Sequence, residues 1–259
     1  MPRFSANVSM LFTEVSFLER FATASACGFK GVECMFPYAE PAEKVGDAIA
    51  MAGLNMALFN APPGDFSAGE RGLAALPGRQ QDFRDSMEVA FKYAELMDCK
   101  RIHVFAGIVP EEQWEEALGV YIGNLAAASD MARELGIDIL IEPIVMEGYF
   151  LCRPDDALQV LDDVKANNLK ILYDIYQAQL GQGAITDFLD RHMDKIGHIQ
   201  IAGVPGRNEP DRTGELNWPY LFDLLDAHGY AGWVGAEYSP RAGTEAGLGW
   251  AKDWGIMAP

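Results

Sequence analysis

Short apolar runs that each end in a polar residue recur along the second half of the chain. They are IDILIE ending at Glu142, LKILYD at Asp174, IGHIQ at Gln200 and WVGAE at Glu237. The intervals between these polar residues are 32, 26 and 37 residues, close to the length of one strand followed by one helix. Because the parallel strands of a closed barrel all end on the same rim, the spacing predicts that the four side chains lie together.

The same alternation of short apolar runs and amphipathic stretches continues through all 259 residues. The strand candidates are Phe4–Met10, Gly31–Cys34, Asn55–Asn60, Arg101–Ala106, Ile137–Glu142, Leu169–Asp174, Ile196–Ile201 and Trp233–Glu237. The helix candidates are Ser16–Cys27, Ala42–Ala52, Arg79–Met97, Glu111–Leu135, Pro154–Val164, Ala184–Lys195, Trp218–His228 and Thr244–Asp253. This order predicts an α/β chain folded as a single-domain (β/α)8 TIM barrel over residues 1–259, with a doubly wound open sheet as the alternative. No GxGxxG follows the first strand, so a dinucleotide-binding fingerprint is absent.

Two connections are longer than usual for α/β units, and both follow predicted strands. They are Ala61–Gly78, which contains Arg71, and Ala202–Asn217, which contains Arg207 and Arg212. In a barrel they would lie over the rim that carries the four polar residues. Loops in that position are expected to close over a substrate or to bind it, although a surface excursion without function is the alternative.

Three carboxylates and one amide oxygen at a single rim favour a divalent metal site. Glu142, Asp174 and Glu237 would repel one another unless a cation held them ionised, and Gln200 adds a neutral oxygen ligand. Oxygen-only ligation indicates Mg²⁺ or Mn²⁺ rather than a metal that prefers sulfur or nitrogen. The alternative for any one carboxylate is a structural ion pair or a helix cap.

The histidines offer no competing chemistry. None forms HExxH, and no GxSxG nucleophile motif is present. His198 shares a strand face with Gln200, one layer deeper, and is predicted to pack inside the barrel. His103, His192 and His228 are predicted to lie away from the rim.

Composition limits the partners and the compartment. The formal net charge of -18 argues against nucleic acid and against an anionic membrane surface. The beginning of the chain lacks the order of a signal peptide, and no apolar run reaches the length of a membrane span, so a cytoplasmic location is expected. Trp250 and Trp254 either contribute to a homo-oligomer interface or cover the chain's own barrel.

Longer strings of sequence add a family resemblance. GFKGVECMFPY, FNAPPGDFSAGERGLAALPGR, YDIYQAQ and GHIQIAGVPGRNEP resemble the hydroxypyruvate isomerase family, whose members are xylose-isomerase-like TIM barrels. The resemblance runs from about Pro2 to Trp254. HVFAGIVP and QIAGVPGRNEP are similar to a branch of 2-oxotetronate isomerases.

The resemblance implies roles for individual residues. It implies that Glu142, Asp174, Gln200 and Glu237 bind the metal, and that Glu142 and Glu237 also transfer the proton. It implies that Arg207 contacts the substrate. Where family members usually have a histidine, this chain has Gln177, which can donate a hydrogen bond but cannot relay a proton. The predicted substrate contacts are Arg207, Gln177, Asn7 and Arg71.

The implied activity is metal-assisted aldose–ketose isomerisation through a cis-enediolate, without an organic cofactor. The expected reaction converts hydroxypyruvate to tartronate semialdehyde. A 2-oxotetronate isomerase and a ketose 3-epimerase using the same site remain alternatives. An endonuclease-IV-like repair enzyme and a non-catalytic barrel are the alternatives from other classes.

Overall fold

The computed structural model describes residues 1–259, and its eight strands form one closed parallel barrel in chain order. The strands are β1 (Arg3–Asn7), β2 (Gly31–Cys34), β3 (Asn55–Asn60), β4 (Arg101–His103), β5 (Asp138–Ile141), β6 (Leu169–Asp174), β7 (Ile196–Ile201) and β8 (Trp233–Ala236). Because β1 pairs with β8, the sheet has no free edge. This closure confirms the predicted (β/α)8 barrel and excludes the open sheet.

Helices fill the connections on the outside of the barrel. They are α1 (Phe17–Ala26), α2 (Ala42–Met51), α3 (Gln80–Leu96), α4 (Trp114–Glu134), α5 (Pro154–Val164), α6 (Ile175–Gly181), α7 (Ile185–His192), α8 (Trp218–Ala227) and α9 (Thr244–Gly247). The short helix α6 is absent from the sequence prediction. It begins directly after β6, where the Asp174 carboxylate accepts a hydrogen bond from the Tyr176 amide at 2.9 Å and caps it.

β5 and β8 end one residue earlier than the sequence predicts, whereas β1 and β4 end three residues earlier. After Asn7 the chain turns sharply, because the amides of Met10 and Leu11 both donate to the Asn7 carbonyl. After His103 the chain leaves the sheet for a loop contact, in which Ala106 forms an antiparallel bridge with Gly72. β1 and β4 therefore both stop at a polar residue on the rim, as β6 does.

An apolar layer lies below part of the rim inside the barrel. Leu58, Leu140 and Leu172 form a buried cluster separate from the main core. Leu140 and Leu172 each lie two residues before a rim carboxylate, so they occupy the same strand face one layer deeper. This layer supports the polar residues above it from below.

The segment that follows α9 packs against β1 and α8. Trp250 and Trp254 pack edge-on against Phe4, with ring centroids 5.1 and 5.3 Å away. The two half-buried tryptophans thus cover part of their own barrel, and the homo-oligomer interface stays a prediction. None of the helices has the length and hydropathy of a membrane span.

Candidate active site

The structure brings the four predicted strand-end residues to one buried rim. Asp174 lies directly opposite Gln200 in the ladder between β6 and β7. Gln200 lies opposite Gly235, which is two residues before Glu237. Glu142 follows β5 on the same rim, and all four residues are at most 7% exposed. The geometry that the sequence spacing implied is therefore present.

Arg207 lies among these carboxylates. Its guanidinium forms a close ion pair with Glu237 and lies 3.7 Å from Asp174 Oδ2. Its guanidinium carbon is 5.3 Å from the centre of the Tyr176 ring, which faces it from α6. The loop holds Arg207 through its carbonyl, which accepts a hydrogen bond from the Ser239 amide at 2.7 Å. The arginine is thus a half-buried cation within the site rather than a solvated loop residue.

One guanidinium does not fully compensate three buried carboxylates. Burial raises the pKa of Glu142 well above its usual range, and Glu237 and Asp174 raise it further. Burial also raises the pKa of Asp174, although Arg207 opposes the shift. Burial raises the pKa of Glu237 to about 7 in spite of the opposing effect of Arg207. The rim therefore binds protons, and it favours additional positive charge.

The raised pKa of Glu237 predicts that the metal-free protein loses stability as pH rises. The folded state binds this proton more tightly than the unfolded chain, so its contribution is full below the usual pKa and is lost as pH approaches 7. A shift of this size corresponds to about 3 kcal/mol. Urea midpoints of chelator-treated protein should fall between about pH 5 and about pH 8, and Glu237→Gln should show a smaller fall. Equal falls in both proteins would contradict the assignment.

Two oxygen atoms at the rim accept no hydrogen bond and suit a hard cation. Gln200 Oε1 and Asp174 Oδ2 are buried without a hydrogen bond. An acceptor left in this state is costly unless a ligand or an ion completes it. No group of three or more acidic, histidine or cysteine side chains is already gathered at metal-ligand spacing, and the guanidinium of Arg207 lies between Asp174 and Glu237. The donor chemistry therefore fits Mg²⁺ or Mn²⁺, provided that Arg207 moves away from the carboxylates.

A fourth acidic residue, absent from the sequence prediction, lies beneath the rim. Glu33 projects from β2 and is 1% exposed. Its carboxylate lies 2.7 Å from Gln200 Nε2 and 2.8 Å from His198 Nε2. In the sequence, Glu33 is a charged residue inside the short apolar run GVEC. The pattern of polar residues at strand ends does not include it, because it lies within the strand.

The prediction that the histidines lie away from the rim is wrong for His103. This residue ends β4, and its Nε2 atom is 3.7 Å from Glu142 Oε2. Burial lowers the pKa of His103 to about 3, so the ring is neutral. Its Nδ1 atom lies 3.2 Å from Asn60 Oδ1, an acceptor, which places the proton on Nδ1. The apolar run continues to Ala106, so the sequence places His103 inside the strand. In the structure β4 ends at His103, and the residue therefore lies at the rim.

The other predicted substrate contacts differ in their placement. Gln177 is buried, and its Oε1 accepts a hydrogen bond from the Val145 amide at 3.0 Å, which leaves its NH₂ group to donate elsewhere. Asn7 donates to Glu237 at 3.0 Å, so its amide serves the protein's own carboxylate. Arg71 stacks 3.9 Å over the Phe66 ring and donates to loop carbonyls, away from the rim carboxylates.

A closed parallel barrel with a buried acidic cluster at the carboxyl ends of its strands defines a TIM-barrel enzyme. A model of the xylose isomerase-like TIM barrel family matches residues 21–254. The 2-oxo-tetronate isomerase of Cupriavidus necator is 51% identical, over 98% of this chain and 99% of its own length. The hydroxypyruvate isomerase of Escherichia coli is 45% identical, over 96% and 98%. A crystal structure described as an AP endonuclease, family 2, from Brucella melitensis superposes with a TM-score of 0.96 and 43% identity, over 98% and 99%.

The chain therefore belongs to the xylose isomerase-like TIM barrel family, and it is an isomerase. The family resemblance inferred from the sequence strings is confirmed.

Proposed function

We propose that the chain catalyses the metal-dependent isomerisation of a short hydroxy-keto acid, in which the carbonyl and the neighbouring hydroxyl exchange positions. The observation that carries the proposal is the buried rim on which Glu142, Asp174 and Glu237 converge with an unpartnered oxygen of Gln200. Glu142, Asp174, Gln200 and Glu237 would hold the cation. A bound divalent ion supplies Lewis acidity, which polarises a carbonyl and stabilises the negative charge that develops on it.

Glu142 and Glu237 are the acid/base pair of the proposal. Isomerisation removes a proton from the hydroxyl-bearing carbon and returns a proton to the adjacent carbon, through a cis-enediolate. A group that must accept and then return a proton works best when its pKa lies near the operating pH. In the metal-free protein, burial raises the pKa of both glutamates, that of Glu237 to about 7. A bound divalent cation would lower both pKa values and favour the ionised form, which accepts the proton. His103 is neutral beside Glu142 and offers its unprotonated Nε2 toward that carboxyl.

Hydroxypyruvate and 2-oxotetronate require the same chemistry. In each, the 2-oxo group next to the carboxylate becomes a hydroxyl and the 3-hydroxyl becomes a carbonyl, so one proton leaves C3 and one joins C2. The two substrates differ only in the hydroxymethyl group on C3. The 51% identity to a 2-oxo-tetronate isomerase, against 45% to a hydroxypyruvate isomerase, favours the four-carbon acid. Hydroxypyruvate is the second candidate.

Arg207 is the proposed partner of the substrate carboxylate. A guanidinium binds a carboxylate through two parallel hydrogen bonds, and Arg207 is the cation that contacts the rim carboxylates. Entry of a divalent ion would take over its role as counter-charge to Glu237 and Asp174. The guanidinium would then be free to pair with the carboxylate of the substrate.

Replacing Arg207 by glutamine should therefore raise KM for either acid by about 10- to 100-fold, because one charge-assisted pair is lost. The effect on kcat should be smaller. Steady-state kinetics with Arg84→Gln, an exposed arginine on α3, as the matched control measures both constants. An unchanged KM would remove Arg207 from substrate binding.

The endonuclease alternative conflicts with the charge of the site. A DNA-binding surface needs clustered lysine and arginine to neutralise phosphates. Here the rim presents carboxylates with a single arginine among them, and the whole chain carries a net charge of -18. The description of the Brucella melitensis structure therefore does not alter the proposal.

The test is solvent deuterium uptake into three compounds. Purified protein with added Mn²⁺ would be incubated in D₂O with hydroxypyruvate, 2-oxotetronate or a free ketohexose, and the deuterium at C2 and C3 would be followed by NMR. The proposal expects exchange and isomerisation of one or both short acids. Exchange of the ketohexose alone would replace the proposal with the ketose 3-epimerase alternative.

A further inference from the structure

We propose that Glu33 is a positioning residue, which fixes the Gln200 amide so that its Oε1 atom, and not its NH₂ group, faces the rim. The inference rests on the proposed function in one respect, since it assigns Gln200 Oε1 to the cation. It adds a residue outside the predicted ligand set and explains how a neutral amide is held in the required orientation.

Four donors converge on the Glu33 carboxylate. Ser5 Oγ donates to Oε2 at 2.9 Å, and Asn7 Nδ2 lies 3.3 Å from Oε1. Gln200 Nε2 donates to Oε1 at 2.7 Å, and His198 Nε2 lies 2.8 Å from Oε2. The Nδ1 atom of His198 is buried without a partner, which places the ring proton on Nε2 and makes it a donor. The carboxylate therefore acts only as an acceptor.

An acceptor below Gln200 determines which end of its amide points upward. The amide has a donating NH₂ group and an accepting oxygen at opposite corners, so binding one fixes the other. Because Glu33 takes the NH₂ group, Gln200 Oε1 is the atom left toward the carboxylates, where it is buried without a partner. The reverse orientation would put two acceptors in contact at 2.7 Å and leave a donor at the cation site.

The same carboxylate also positions the acid/base residue Glu237. Asn7 Nδ2 lies between Glu33 and Glu237 and donates to Glu237 Oε1 at 3.0 Å. The orientation of the Asn7 amide is itself fixed, because its Oδ1 accepts a hydrogen bond from the Ser9 amide at 3.1 Å. Glu33 thus contacts Gln200 directly, and it is linked to Glu237 through the Asn7 amide.

The barrel leaves space for this carboxylate at one position on β8. A Cβ atom at Gly235 would collide with both carboxylate oxygens of Glu33. Gly235 is opposite Gln200 in the ladder, so the space it leaves lies directly beside the amide that Glu33 binds. Position 235 therefore requires glycine because the Glu33 side chain occupies the space of a Cβ atom, and not because of an unusual backbone angle.

The test compares Glu33→Gln with Glu88→Gln, a matched change on the exposed face of α3. Glutamine at position 33 can both donate and accept, so Gln200 is no longer forced into one orientation. Titration with Mn²⁺ followed by electron paramagnetic resonance should show affinity about 10- to 100-fold weaker in Glu33→Gln, the range for loss of a residue that orients a ligand. Glu88→Gln should bind as the wild type does. Equal affinity in all three proteins would overturn the proposal.

A second measurement uses the wild-type protein without metal and requires no variant. In the metal-free wild type, the side-chain amide hydrogen of Gln200 that is donated to Glu33 should be protected from exchange with solvent. Rapid exchange of this hydrogen would overturn the proposal. If the wild type does not bind Mn²⁺, the proposed function is contradicted. The role of Glu33 is decided separately, by the exchange of the Gln200 amide hydrogen.

Discussion

Glu142→Gln and Glu237→Gln should each lower kcat by about 10³-fold, within the range that general acid–base groups contribute. Glutamine keeps the shape of the side chain and one oxygen ligand, but it cannot take up or return the proton. The two residues are buried on the same rim. The exposed Glu88→Gln should retain wild-type turnover.

The measurement is single-turnover kinetics on metal-saturated protein, with circular dichroism to verify the fold. Because a glutamine side chain is uncharged, both variants relieve repulsion among the buried carboxyls and should fold. Unchanged rates in both variants would remove the proposed acid/base pair. Loss in only one of them would assign both proton steps to that residue.

Removal of divalent metal should produce the second large effect. Burial raises the pKa values of the three rim carboxyls, so they bind either protons or a metal cation. Only the metal-bound rim can polarise a substrate carbonyl. Treatment with a chelator should therefore lower turnover by at least about 10³-fold, because Lewis-acid catalysis supplies several kcal/mol. Mn²⁺ or Mg²⁺ should restore it.

The control is the same protein dialysed without chelator. Circular dichroism of the chelated protein should show the barrel intact, since the apolar layer of Leu58, Leu140 and Leu172 and the outer core do not depend on the ion. Full turnover by protein that contains no bound metal would contradict the metal-dependent mechanism.

The sequence predicts the barrel well because each strand is a short apolar run with a clear end. The predicted bounds agree with the structure for four strands, β2, β3, β6 and β7. β1 and β4 are shorter, because a backbone turn and a loop contact follow Asn7 and His103, and neither leaves a signature in hydropathy. α6 was missed because seven residues are too few to show a helical period.

The site is predicted in part for a related reason. Strand ends identify Glu142, Asp174, Gln200 and Glu237, since strand order alone brings them together. Glu33 lies in the middle of a strand, and only the side-chain packing of β1, β7 and β8 around it reveals its contacts.

The position of Arg207 could not be read from sequence either. It depends on the path of a loop with no periodic pattern, which turns the arginine inward onto Asp174 and Glu237. The family resemblance predicts that Arg207 contacts the substrate, and the structure adds that its guanidinium is the counter-charge of the rim carboxylates.

A crystal structure of the protein soaked with Mn²⁺, with anomalous diffraction to locate the ion, tests the central claim most directly. The account predicts a single strong peak among the side-chain oxygens of Glu142, Asp174, Gln200 and Glu237, with the guanidinium of Arg207 withdrawn from Glu237. A rim without an anomalous peak, with Arg207 still paired to Glu237 at saturating Mn²⁺, would contradict it.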